Sequence, residues 1–442
     1  MREIAEKIEK KFKNSGADDV IVTIGEEEKT QIKFSNNKVS ATQTWQSMNV
    51  SLFAAIDKRL VLTSIHAFSQ EIIDETIKKL LKFAKATEQN KEYSGIAKGP
   101  FKYQEREGTY DKAVAELAEK DVDLVEKGIS TALSNGAKRT AGVLETTKSK
   151  VYLRTSNSVE AEEKGTKIHF SIRAFTDNEA SGHYVATARM LKDCNIESAA
   201  ARAAEIAKKA RNPLPIKQGK YDVLFEPLPA SNIIEQMGVA ASAFNVESGL
   251  SCLAEKIGSK VASKEVTILD DATLPGGMGA ASFDAEGVPT QTNTIIENGV
   301  LKTYLHNTST AKRYNTVTTA NAGIVSPEPF NIVLKKGSFI KEELFEQIKR
   351  GLWITNVWYT RFSNYDSGDF STIPRDGIFL IENGKIKSPV KDIRVSENLL
   401  GMFRNVSAIG EDAERVMGWE VETPVFTPPI VVKDVNITKS AE

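Results

Sequence analysis

A chain of 442 residues, 40% hydrophobic and 26% charged, is too long for one ordinary core and reads as a soluble globular protein of two domains. Its 58 Lys and Arg against 59 Asp and Glu leave a formal charge of −1, which excludes the basic footprint of direct nucleic-acid binding or of an anionic membrane surface. No apolar run approaches the roughly 20 residues of a spanning helix, so no membrane contact is expected and the expected compartment is the cytoplasm.

In chain order, Ile4, Ile8 and Phe12 recur every four residues and predict an amphipathic first helix rather than a signal peptide. Strands are predicted at 19–24, 31–35, 48–56 and 59–64, with turns at Asn36-Asn37 and Asp57-Lys58. Helices follow at 70–85 and, after a polar surface connection over 88–108, at 110–133 with Asp111 as cap. Residues 139–189 alternate as a β-meander, and a helix at 196–210 stops at Asn212-Pro213. His169 and His183 fall within the meander, where a hairpin could set them face to face, against the simpler reading that they are surface or stacking histidines holding no metal. The domain boundary is placed between 212 and 219, giving an N-terminal α/β domain (1–212) and a mainly β C-terminal domain (219–442) with a few helices. The fold class is therefore α+β, with a cleft between or within the domains. Further helices are predicted at 230–244, 248–257 and 341–349. Cys194 and Cys252, the only two cysteines, are read as buried small hydrophobes in helical segments.

The densest block of signals is 266–305. An apolar strand runs into Asp270-Asp271, the loop Pro275-Gly276-Gly277 with Gly279 is backbone-permissive, and Asp284 and Glu286 follow. Asn298-Gly299 ends the block, and the same tetrapeptide Ile-Glu-Asn-Gly returns at 381–384, so both Asn-Gly pairs are predicted to be two-residue hairpin turns. Asp270, Asp271, Asp284 and Glu286 are candidate cleft residues able to hold a hard cation, against the simpler reading that they cap turns. Downstream, Trp353, Trp358, Tyr359, Arg361, Phe362 and Tyr365 interleave aromatic and basic groups, with Thr372, Arg375 and Asp376 in the adjacent turn. From this stretch Trp358, Tyr359, Arg361, Thr372, Arg375 and Asp376 are the candidate peptide- or partner-binding residues.

The 266–305 block resembles the core signature of the TldD/PmbA family, also called modulators of DNA gyrase. The resemblance continues through 221–227, 331–337, 351–362, 375–390 and 398–403. It implies an N-terminal α/β domain, a β-rich C-terminal domain and a metallopeptidase assembly acting on unfolded or small peptides. Zinc-bearing members of the family carry H-E-x-x-x-H on the helix that here reads Ser-Asn-Ile-Ile-Glu-Gln-Met from Ser231, without a histidine, and the family's C-terminal cysteine ligand is missing near 417–420. Glu235 alone cannot replace that set, and its removal is expected to leave folding nearly intact. The resemblance thus implies the zinc-free TldE (PmbA)-like side: no catalytic residues, no cofactor in this chain, a zinc-bearing TldD-like partner, and no activity alone. A homodimeric binding or scaffold protein, and a self-sufficient peptidase using a carboxylate-bound cation, stand as alternatives.

Overall fold

A computed structural model describes all residues except 67–68, 118–119, 178–179 and 440–442. The fold is α+β, built on three sheets. The first holds six strands, β1 (Asp19–Ser35), β2 (Lys38–Ile56), β3 (Arg59–Ile65), β4 (Arg139–Thr155), β5 (Glu160–Phe175) and β6 (Ser181–Ala188), in the order β3-β2-β1-β4-β5-β6. The two strands expected at 19–24 and 31–35 are thus one. The intervening Gly25 to Thr30 has little strand propensity. It is held extended because β2 and β4 flank it over its whole length, with Lys148 bridging to Glu28 at 3.1 Å and Lys29 to Glu145 at 2.9 Å.

Helices α1 (Arg2–Asn14) and α2 (Gln70–Ala86) cover one end of this sheet. Ala5, Ile8 and Phe12 meet Ile73, Ile77 and Leu80 over Val22, Ile24 and Leu52. The helix expected at 110–133 is broken. Asp111 caps a single turn, α3 (Lys112–Ala115), which ends at Glu116, and α4 (Lys120–Ser134) starts afresh; positions 118 and 119 lie outside the described residues. The connection over 88–108 is no mere surface link, since Ile96 and Ala97 are buried.

Helix α5 (Ile196–Lys209) turns an alanine stripe, Ala199, Ala200, Ala203, Ala204 and Ala207, onto the sheet. That small-residue face lets it lie against Gly182 of β6, where a Cβ would sit 2.1 Å from the Ala203 carbonyl and 2.7 Å from the Ala207 nitrogen. Gly182→Ala is expected to cost about 1–3 kcal/mol by forcing helix and strand apart. Chemical denaturation checks it, and an unchanged midpoint would refute the close approach.

All strands of the first sheet precede residue 212, and those of the other two follow it. The second sheet orders Val300–Leu301, Thr292–Glu297, Ile268–Asp271, Ile332–Leu334, Val421–Thr427 and Glu414–Gly418. The third is ten-stranded, running from the edge strand Val357–Asn364 through Asp369–Pro374, Ile393–Asn398 and Ile430–Lys439 to Gly219–Phe225 and beyond, ending at Leu214–Pro215. Both Asn-Gly pairs make two-residue hairpins. Asn298 and Gly299 have φ of 47° and 82° between paired Glu297 and Val300, and Asn383 and Gly384 have 49° and 74° between Glu382 and Lys385.

Helix α6 (Pro227–Ala240) enters through Pro227 and buries Ile233, Ile234 and Met237 between the sheets. The helix expected at 248–257 is absent. Those residues form successive turns pinned by Ser251 Oγ on the Ala240 carbonyl at 2.6 Å. Cys252 lies in these turns and Cys194 after a 3₁₀ turn, so neither is helical, though both are buried and free. One apolar cluster crosses the 212–219 connection, joining Ile172, Ala203 and Ile206 to Leu224, Trp353, Phe379 and Val431.

Candidate functional site

Strands β1, β4, β5 and β6 present one face to the C-terminal half, and between them lies a cleft of about 670 Å³. Its far wall comprises Leu228 and Asn232 of α6, residues 356–358, and residues 416–421. A second cavity of about 800 Å³ adjoins it, sharing Lys167 and Met417, and runs on to residues 322–330. The strands Val357–Asn364 and Glu414–Gly418, which border the cleft, are both the outermost strands of their sheets.

The aromatic-basic stretch divides among three environments. Trp353 is core, stacked on Phe379 at 4.8 Å. Phe362 stacks on Tyr365 at 5.1 Å and leans on Phe370. Trp358 and Tyr359 remain at the cleft mouth, where Trp419 joins them at 5.4 Å and 5.8 Å. Trp419 is 67% exposed, and its place in the cluster is not readable from sequence because it arrives from 60 residues away. The strand bulges between Trp358 and Arg361, with Tyr359 at φ 60°, and this turns the ring outward. Arg361 reaches Glu420 at 3.4 Å, and Arg375 lies 5.8 Å over Trp358 and 5.9 Å over Tyr359. Thr372 and Asp376 are buried behind this surface. The Thr372 hydroxyl bonds the Trp358 carbonyl at 3.2 Å, while the Asp376 carboxylate takes Arg173 Nε and Ser181 Oγ, both at 2.6 Å, and Asn356 Nδ2 at 3.0 Å. These two position the cluster.

The four candidate carboxylates are turned to backbone and side-chain donors and do not converge. Asp270 accepts from the nitrogens of Phe330 and Asn331 at 2.7 and 3.0 Å, Asp271 from the Thr273 nitrogen at 2.9 Å, Asp284 from those of Glu286, Val288 and Ala322, and Glu286 from that of Ala97 at 3.0 Å. Asp284 lines the second cavity. Among the described residues no three His, Cys, Asp or Glu side chains group to hold a metal ion.

His169 and His183 do not face each other. The register sets His169 opposite Thr187 and His183 opposite Arg173, although both line the cleft. His183 Nε2 meets Ser171 Oγ at 3.0 Å, while the Nδ1 atoms of both rings are buried without a hydrogen-bond partner; Glu420 Oε1 likewise has none beyond its ion pair with Arg361. Burial pushes His169 down to about 4 and also lowers His183, so both rings are neutral at pH 7.

Glu235 is 5% exposed and accepts the Thr423 N–H at 2.6 Å, tying α6 to the strand Val421–Thr427. Its loss is therefore not neutral for folding, because truncation strands that N–H. Burial pushes its carboxyl up to about 7, Glu286 to about 7, and Asp270 and Asp284 to about 6. A folded carboxyl that binds its proton more tightly than the unfolded one loses stability as pH rises, here from about 4.5 through 7; the depressed histidines lose it in the opposite sense as pH falls below 6.5. Stability is expected to fall between pH 6 and pH 8, and Glu235→Gln is expected to flatten that alkaline limb by about 1 kcal/mol. Urea titrations at pH 6 and 8 measure it; an unchanged slope would refute the assignment.

Residues 218–439 match the PmbA/TldA metallopeptidase C-terminal domain and residues 71–211 its central domain. The chain belongs to the PmbA/TldD family. A metalloprotease of Methanocaldococcus jannaschii is 35% identical over 215 residues, 46% of each chain, and one of Methanothermobacter thermautotrophicus is 34% identical over 233 residues. The chain spans about half the length of these curated relatives. An uncharacterized protein of Methanocaldococcus jannaschii aligns over 415 residues, 89% of this chain and 95% of that one, at 26% identity. Among solved structures, a Thermotoga maritima protein described as a candidate modulator of a DNA gyrase superposes with a TM-score of 0.86 at 26% identity, covering 99% of this chain and 100% of that one. TldE from Thermococcus kodakarensis superposes with a TM-score of 0.86 over 98% and 99%, at 22% identity, and shares the fold.

A metallopeptidase family implies zinc, which takes three protein ligands and an open position. The residues present do not fit. On α6 the cleft-facing groups are Leu228 and Asn232, and Glu235 is engaged by the Thr423 N–H. Among the described residues no helix is long and apolar enough to cross a membrane.

Proposed function

We propose that this chain is a zinc-free, TldE (PmbA)-like subunit of a TldD/TldE-type peptidase assembly in the cytoplasm, and that its cleft encloses part of an extended peptide. The observation that carries the reading is the chemistry of α6: the helix in the family's zinc-binding place brings an amide and an aliphatic side chain to the cleft, with no ligand set. Two outermost strands beside the cleft suit a grip on peptide backbone by strand addition, which tolerates varied sequence. Trp358, Tyr359 and Trp419 supply apolar contact at the mouth. Zinc and the cleaving chemistry belong in this reading to a TldD-like partner.

Affinity purification of the tagged chain from its native cell tests the assembly. The expected result is a co-purifying zinc-bearing family member and peptide cleavage by the mixture. Recovery of a homodimer alone, inert toward peptides under every condition, would favour the scaffold reading.

A further inference from the structure

The cleft and the second cavity meet at Lys167, which lines both. Its ammonium has no hydrogen bond or ion pair among the described residues. It lies on β5 opposite Thr147, a neutral residue. Glu27, also on the cleft, is the acidic group nearest in influence, but it is exposed and forms no ion pair with the lysine.

A second cation, Arg189, acts on Lys167 through space. Arg189 is 8% exposed, and all its bonds go to carbonyl oxygens: Gly277 at 3.1 Å, Met278 at 3.0 Å, Ala280 at 2.8 Å and Thr109 at 3.4 Å. Glu163, its nearest acidic neighbour in influence, is engaged by the Ser282 N–H at 2.8 Å. Of the two cations only Lys167 lines the junction, and neither forms an ion pair among the described residues. Burial lowers the Lys167 amine to about 8, with Arg189 adding to the effect. An anion at the lysine would stabilise its charged form, because a charge-assisted bond in a partly dry site is worth more than one in water.

Resting on the peptide-cleft reading above, we infer that Lys167 is a specificity residue that receives a carboxylate of the bound peptide, either its free C-terminus or an Asp or Glu side chain. The other groups along the cleft fit the same ligand. The Nδ1 atoms of His169 and His183, which have no hydrogen-bond partner, offer hydrogen-bonding capacity to a peptide backbone, and Leu228, Val185 and Trp358 offer apolar contact to its side chains. The ligand is therefore a peptide with an apolar residue followed, toward the second cavity, by a negative charge.

Titration calorimetry at pH 7 on the full chain decides it. The probes are Ala-Ala-Phe-Ala-Ala as the free acid, the same peptide as its C-terminal amide, and the amide of Ala-Ala-Phe-Glu-Ala, all N-acetylated. A carboxylate-bearing peptide is expected to bind about ten-fold or more tightly than the neutral amide. Preference for the free acid names the C-terminus as the source, and preference for the glutamyl amide names the side chain. Lys167→Met should remove the difference, Lys167→Arg should keep it, and it should fade above pH 8 as the amine loses its proton. Should Lys167→Met fail to fold, Lys167→Gln and the wild-type pH series carry the same decision. Equal binding of all three peptides, or a difference that survives in the neutral variant, would overturn the inference and leave the cleft reading standing. Failure of every peptide to bind, in the chain alone and with its partner, would overturn both.

Discussion

Arg202→Met is expected to destabilise the protein by about 3–5 kcal/mol. Glu226, at the start of α6, has a side chain only 3% exposed, and it is held by Arg202, by Lys341 at 2.8 Å and by the Trp353 indole N–H at 2.8 Å. Burial alone would raise its carboxyl, yet Arg202 and Lys341 together hold it below the ordinary range. Arg202 comes from α5, so the contact fastens the first sheet's helix to α6, and its second arm reaches Glu414 at 2.7 Å. Methionine keeps the packing volume over Tyr184 but leaves a buried carboxylate with one cation instead of two. Lys341 is 43% exposed and replaces only part of what is lost, which sets the expected size toward the lower end. Urea unfolding measures it. A change under about 1 kcal/mol would mean the pair behaves like an exposed surface bridge.

Purified alone, the chain is expected to carry far less than one zinc and to cleave no peptide. Zinc sites of useful affinity draw on three or four His, Cys or carboxylate ligands, and a lone carboxylate falls short of them by many orders of magnitude. The only carboxylate on the relevant face of α6, Glu235, is engaged by a backbone N–H, so recruiting it would cost a buried hydrogen bond. Elemental analysis after mild chelation checks the first half, and a fluorogenic peptide with and without chelator the second. About one retained zinc per chain, or activity abolished by chelator, would overturn the zinc-free reading.

What could be read from the sequence followed its locality. Asn298-Gly299 and Asn383-Gly384 declared their turns because positive φ at two successive positions is a requirement of the residues themselves. The meander and the amphipathic helices showed through periodicity. Residues 248–257 misled for the converse reason: helical-looking spacing without a cap is overridden when Ser251 and its neighbours bond back to α6. The site was legible only in pieces. Trp358, Tyr359 and Arg361 stood out as a cluster, but Trp419, Lys167 and His183 reach the same cleft from segments 60 to 192 residues away, and nothing in their own neighbourhoods signals it. The acidic block attracted attention by density, yet its carboxylates are absorbed by turns.

The apolar cluster that crosses the 212–219 connection has a consequence for how the chain is made. A ribosome releases α5 and the first sheet long before Trp353, Phe379 and Val431 exist to cover them. Val431 stands 225 residues after Ile206, so the last fragment of that cluster emerges long after the flank it covers. The nascent first half must wait with a greasy flank open to solvent, a natural client for holding chaperones, and it closes only when the later strands that carry Trp353, Phe379 and Val431 have been delivered.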